Sequence, residues 1–272
     1  MLLGWDFYVH GNVVDLLRNK GRPMLFREVS RRFPHNRVFT RLSTGTAREV
    51  LRIPHYSTTP GREEVEVWVA HTNDEIAEWV RVNVKSSPSI DMGHVVGLDV
   101  EWRPPFKPRT INPVALVQVA SESSVLLVQL NRFPGSFPSA LAEVINSETV
   151  IKVGVSVLDD LKLLTRDYGV KYSDSYSDIG SLARRLSDRV KSGKGFDAIE
   201  TPTLPLTFGL QSIAKAFLGV DLSKPRKIRL GNWDNKVLNY DQITYAAYDA
   251  LLSRDIYCYC YTLLQKESRG IE

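Results

Sequence analysis

The sequence predicts an α/β fold in which helices pack on a mixed β-sheet, and three observations predict it. Stretches with apolar residues at every second position come early and close together, as in a meander. Later strand-like stretches alternate with stretches of helical spacing, which requires crossovers and some parallel pairing. The chain has 272 residues, 43% hydrophobic and 24% charged, enough apolar material for one large domain with an appendage. No apolar run reaches the ~20 residues of a membrane-spanning helix, so no membrane association is expected.

Taken in order, residues 1–63 show no sustained period, and "STTPGREE" reads as a linker punctuated by Pro60-Gly61. "EVEVWVAH" then alternates as a strand, and "NDEIAEWVRVNV" has a polar start with Ile76, Trp79 and Val80 at helical spacing. "VVGLDVEW" is the next strand; "PVALVQVAS" and "SVLLVQL" follow so closely that they form an antiparallel pair. "FPSALAEVINS" is a short helix and "TVIKVGVSV" a buried strand. "LDDLKLLTRDYG" starts a helix at an Asp pair and ends it at Gly169. "DSYSDIGSLARRL" is a further helix, the stretch 190–208 a loop, and "GLQSIAKAFLG" an amphipathic helix. A long last helix runs from about Asp241 to Gln265.

Charge divides the chain. The net value is +4, yet between Leu17 and Pro60 ten Lys/Arg face only Glu28 and Glu49. Three readings fit this basic arm: a solvated leader, a grip on phosphates, or an organelle-targeting segment. The expected organisation is a basic N-terminal extension over 1–63 and one domain over 64–272. The two cysteines, Cys258 and Cys260, stand two apart in "YCYCY", which faces them apart on a helix and matches no usual zinc spacing. An intracellular, reducing compartment is expected, with nucleus, cytoplasm and mitochondrion all open.

Six polar residues stand out against apolar surroundings. Asp99 and Glu101 interrupt "VVGLDVEWRP"; strand alternation puts them on one face, Cα atoms ~7 Å apart, with Val100 on the other. Two oxygen donors on one wall suit Mg²⁺ or Mn²⁺, although a half-exposed edge strand would carry the same pattern. Asp159 and Asp160 sit where a buried strand meets a helix, where one could cap the helix and the other enter a cleft. In "YAAYDALLSRDIY", Tyr245 and Asp249 are four apart on one helical face, and an Asp among so many apolar neighbours needs a partner.

Asp-x-Glu on a strand, Asp at a strand-to-helix junction and Tyr-x-x-x-Asp on a late helix, in that order, resemble the DEDDy 3′–5′ exonucleases of the ribonuclease D superfamily. The wording of "VVGLDVEWRP", "KVGVSVLDDLKLLTRDYGV" and "RLGNWDNKVLNYDQITYAAYDA" is similar to the Werner syndrome exonuclease domain and plant Werner-exonuclease-like proteins. The resemblance covers about residues 64–265 and implies a ribonuclease H-like sheet. It implies metal-dependent 3′–5′ hydrolysis of nucleic acid by a two-metal mechanism, releasing nucleoside monophosphates. Asp99, Glu101, Asp160 and Asp249 would hold two divalent ions, Mg²⁺ or Mn²⁺, and Tyr245 would orient the attacking water. Asp160 is preferred to Asp159 because the family pattern of a second Asp seven residues on is met by Asp160 and Asp167. Thr244 stands where the sister class has His, so the Tyr variant is the match.

Trp102 and Arg103 beside the first motif, and Lys227, Arg229 and Trp233 before the third, are candidates to stack on bases or follow the backbone of a nucleic acid with a free 3′ end. DNA and RNA are both compatible, and a helicase partner is a family-level expectation. The alternative from another class is a nucleic-acid-binding or scaffold protein with the same fold and no turnover.

Overall fold

A computed structural model describes residues 37–41, 47–56, 64–85, 94–105, 111–193, 202–222 and 225–266. Among these, the alternating stretches form one eight-stranded sheet in the order β1-β2-β3-β6-β5-β4-β7-β8. The strands are β1 (Arg37–Arg41), β2 (Ala47–Pro54), β3 (Glu64–Ala70), β4 (His94–Trp102), β5 (Val114–Ala120), β6 (Ser124–Gln129), β7 (Val150–Gly154) and β8 (Tyr176–Asp178). β4, β5 and β6 form the expected antiparallel meander. β3 pairs with β6, β4 with β7, and β7 with β8 in parallel, so the sheet is mixed.

The helices are α1 (Asn73–Val80, continued as a π-helical turn to Lys85), α2 (Ser139–Asn146), α3 (Val157–Tyr168), α4 (Ile179–Lys191), α5 (Leu210–Ile213, with a π-helical turn to Leu218), α6 (Arg226–Arg229) and α7 (Tyr240–Lys266). Local chemistry sets their ends. Thr72 and Glu75 form a capping box at α1, which accounts for a glutamate that is almost fully buried. Asn239 and Gln242 exchange the same pair of bonds at the start of α7. Gly169 ends α3 in the left-handed conformation, as its position predicts.

Strand alternation divides the core in two. Trp68, Leu98, Val100, Val117, Val119 and Leu126 pack with α1, α2 and α3 on one face. Val67, Leu116, Ala120 and Leu127 pack with α4, α5 and α7 on the other. α7 is buried nearly all round its middle, which is why it reads as apolar on every side instead of amphipathic. Among the described residues no helix is long and apolar enough to cross a membrane.

Three expectations need correction. The domain boundary expected at 63/64 runs through the sheet, because β2 pairs in register with β3 and buries Val50, Leu51 and Ile53. Its neighbours are tied to α7, Tyr248 Oη donating to the Pro54 carbonyl at 2.6 Å and Tyr56 Oη to Asp255. Val50 and Leu51 adjoin in "AREVLRIP", which breaks strict alternation, and the surrounding arginines mask the strand. Residues 1–36 of the basic arm lie outside the described residues. Neither Asp159 nor Asp160 holds the N-cap position of α3; Ser156 stands there in a left-handed conformation (φ 57°) with no side-chain capping bond, and both acids fall in the first turn. Finally, the start of "DSYSDIGSLARRL" is strand β8, with Asp178 capping α4 through a bond from Ser181 N at 2.7 Å.

Candidate active site

Three elements meet where the sheet stops. β4 pairs with β7 only as far as Gly97, and the chain leaves β7 at Gly154 to begin α3. β4 runs on past that end, so its last residues line a crevice at the carboxyl ends of two parallel strands, a recurrent place for ligands in α/β sheets. α7 crosses the same face of β4 at very short range. A Cβ at Gly97 would lie 1.9 Å from the Ala250 carbonyl oxygen, so only glycine lets the helix come this close.

The cleft has a volume of about 510 Å³ and is lined by Asp99, Glu101, Trp102, Asp160, Tyr245 and Asp249, among others. Asp99, Glu101 and Asp249 each offer a carboxylate oxygen, all within 4.8 Å of one another. Asp99 and Glu101 are half-buried and Asp249 is buried at 2% exposure. Asp160 enters from the first turn of α3, buried, whereas Asp159 is exposed and absent from the lining. The structure thus brings Asp99, Glu101, Asp160, Tyr245 and Asp249 to one cleft and separates the two candidate aspartates.

Such crowding of like charge has a price in protonation. Burial, with the charges of Asp99 and Asp159, pushes the Asp160 carboxyl up to about 9. Burial and the charges of Asp249, Glu101 and Asp99 hold the Tyr245 phenol far above its ordinary range, and a hydrogen bond to Asp249 adds to this. Tyr245 is therefore a fixed hydroxyl, not a base. Its ring packs against Trp233, centroids 6.1 Å apart.

The donor set is all oxygen, on three separate elements, in a cleft whose other walls are largely apolar. That is the chemistry of a hard divalent cation such as Mg²⁺ or Mn²⁺ and not of zinc, which favours nitrogen and sulfur. The residues fit such ions, whose charge would offset the burial and the neighbouring charges that drive Asp160 toward its protonated form.

The five residues expected to meet nucleic acid separate. Trp102 is 39% exposed on the cleft rim, turned there by an irregularity in the β4–β5 ladder between Glu101 and Trp102. Arg229, at the end of α6, also lines the cleft. Arg103 and Lys227 are exposed but outside the lining; the Arg103 carbonyl accepts from Asn112 Nδ2 at 2.7 Å. Trp233 corrects its expectation: it is fully buried and donates through Nε1 to the Arg229 carbonyl at 3.3 Å, leaving no ring face for a base. Sequence reading missed Leu210, Leu230, Pro104 and Pro105 in the lining. Pro104 ends the first motif and Pro105 follows it, so both could have been found by that adjacency. Asp167, used only for its spacing, accepts from Val114 N at 2.9 Å and so ties α3 to the start of β5.

Comparison with known proteins agrees with this geometry. The model of the 3′–5′ exonuclease family matches residues 68–264. A 3′–5′ exonuclease of Arabidopsis thaliana is 34% identical over 163 residues, covering 60% of this chain and 51% of that protein. The bifunctional 3′–5′ exonuclease/ATP-dependent helicase WRN of Mus musculus is 32% identical over 166 residues, 61% of this chain and 11% of that protein. The matches thus span about half of one relative and a small part of the other. Escherichia coli RNase D has the same fold at a TM-score of 0.55 and 19% identity, covering 74% of this chain and 45% of that one. The Aedes aegypti Nibbler EXO domain also aligns at 0.55, with 20% identity, over 73% of this chain and 88% of that one. With the family match running from β3 into the last turn of α7 and the acids gathered at one cleft, the chain belongs to the 3′–5′ exonuclease family of hydrolases.

Proposed function

We propose that the protein hydrolyses nucleic acid from a free 3′ end in a metal-dependent reaction, releasing nucleoside monophosphates. The observation that supports it best is the meeting of Asp99, Glu101 and Asp249 oxygens within 4.8 Å, beside Asp160 and Tyr245 in one open cleft. In this reading Asp99, Glu101, Asp160 and Asp249 hold two divalent ions. The ions, when bound, lower the pKa of the attacking water and offset charge on the phosphate and the leaving 3′ oxygen. Asp249 and Asp160 stay in place because burial leaves them few alternative rotamers. Tyr245 keeps its proton and uses its hydroxyl to orient the nucleophile. Trp102 on the rim stacks on a terminal base, and Arg229 meets phosphate as the strand passes α6. Arg226 and Lys227, exposed on the same short helix, extend the positive track outward.

The test uses 5′-labelled single-stranded DNA and RNA of one sequence, with Mg²⁺ or Mn²⁺, against EDTA and Asp99→Ala. A ladder shortening from the 3′ end and lost in both controls is the expected result, and the faster strand assigns the sugar. Binding without shortening of either strand would replace the enzyme with a nucleic-acid-binding scaffold. Adding a helicase to duplex substrates, and scoring any gain in rate, tests the partner.

A further inference from the structure

Gln118 sits at the centre of β5, a strand in which every residue is buried, and its own exposure is 0%. Both its amide nitrogen and its amide oxygen are buried without a hydrogen-bond partner. Native interiors seldom leave a donor and an acceptor of one side chain unsatisfied, because each loses its water for nothing. The rest of β5 is Val, Ala and Leu, and a Leu or Met at 118 would serve packing better. The polar group therefore needs a reason.

Register supplies one. Gln118 lies directly opposite Asp99 on β4 and Leu127 on β6. Opposed residues share a face, with Cβ atoms about 4.5–5.5 Å apart. That face is the one α7 covers, since Leu116 and Ala120, two residues to either side, pack with Ala246 and Ala250. A carboxylate only accepts hydrogen bonds, and a glutamine amide is a donor that brings no charge. A lysine or arginine there would compete with a cation for the same oxygens; Gln118 would not.

We propose that Gln118 is a positioning residue of the carboxylate site: its Nε2–H, without a partner in the metal-free site, turns to donate to Asp99, opposite it in the ladder, when a divalent cation is held there, and so fixes which Asp99 oxygen faces the cleft. This rests on the metal reading of the acids given above. Hydrogen bonds behind ligating carboxylates orient them, and losing one typically weakens metal affinity ten- to a hundredfold.

Mn²⁺ titration followed by electron paramagnetic resonance, and thermal melts with and without Mn²⁺, test this without nucleic acid on wild type, Gln118→Met and Asp99→Ala. Gln118→Met is expected to melt at or above wild type without metal, having lost two unsatisfied atoms. Its Mn²⁺ Kd is expected to rise about tenfold to a hundredfold, with a smaller Mn²⁺-induced rise in Tm. Unchanged Mn²⁺ affinity would overturn the proposal, whether or not the metal-free Tm falls. Should the Met variant fail to fold, Gln118→Leu is titrated below its own melting temperature and read by Kd alone. Wild type that binds no Mn²⁺ would overturn the metal reading and this inference together. Binding lost in Asp99→Ala but kept in Gln118→Met would overturn the role of Gln118 alone.

Discussion

The two faces of β4 are made from the same nine residues and do opposite things. Val96, Leu98 and Val100, none more than 3% exposed, lock the strand into the layer of α1, α2 and α3. Gly97, Asp99 and Glu101 face α7, where one admits the helix backbone and two line the cleft. A shift of register by one residue would turn both carboxylates into an apolar layer and the three apolar side chains toward the cleft. The side chains of the opposite face therefore hold the carboxylates in place. A strand can carry a cluster of like charges because its other face supplies the burial that the cluster gives up.

Substitution on either face breaks that comparison in opposite senses. Asp99→Ala is expected to lower the exonuclease rate by at least about a hundredfold while the metal-free Tm stays level or rises, since one repelling charge is gone. Leu98→Ala is expected to cost about 2–5 kcal/mol of stability, seen in denaturant melts, with activity surviving in the folded fraction. If the two variants lose stability alike, the division of labour on β4 is wrong.

Gly97→Ala sharpens it further, because this position belongs to the site face yet touches only backbone. The added methyl meets the Ala250 carbonyl at 1.9 Å, so α7 must move away from β4 and carry Asp249 from Asp99. We expect a loss of about 1–3 kcal/mol or more together with a fall in rate. A stable, fully active variant would show that the approach of α7 does not set the carboxylate spacing.

The two tryptophans extend the contrast to the rim. Trp233→Ala should cost about 3–5 kcal/mol, as a fully buried ring under Tyr245. Trp102→Ala should leave Tm within a degree or so and raise the KM for oligonucleotide by roughly five- to a hundredfold, the worth of one base stack.

How much of this was legible in the sequence follows from which interactions are local. β3, β4, β5 and β6 were readable because alternation is written residue by residue, and the antiparallel β5–β6 pair because a short connection forces it. Asp99 and Glu101 announced themselves as charges within a strand, and Asp249 as an acid in an apolar helix. What was not legible depends on long-range placement. β2 hides among arginines because its burial is supplied by β3 and α7, both distant in sequence. Trp233 and Trp102 have similar polar and basic neighbours, and only packing distinguishes the buried ring from the exposed one. Asp159 and Asp160 differ by one position in a helix, a rotation of about 100°, and this decides which meets the cleft. Gln118 drew no notice in the sequence, because its meaning lies in the residue it faces across the ladder.

The last difference between the faces is in titration: the apolar face has nothing to protonate, whereas the other gathers acids about Asp160. With Asp160 raised from 3.8 to about 9, the folded protein holds a proton there that the unfolded chain has released. Its contribution to stability is complete below the unfolded value and is lost as pH rises through the folded one. In EDTA the Tm should therefore drift downward across that window on this group's account, and Mg²⁺ or Mn²⁺ should flatten the drift by replacing the proton as the compensating charge. Asp160→Asn removes the titrating group and should flatten the curve without metal, so the pair of curves separates this carboxyl from every other acid in the chain. A metal-free curve that keeps its slope in Asp160→Asn would move the effect to another carboxylate, with Asp99, Glu101 and Asp249 the next to test because they share the cleft.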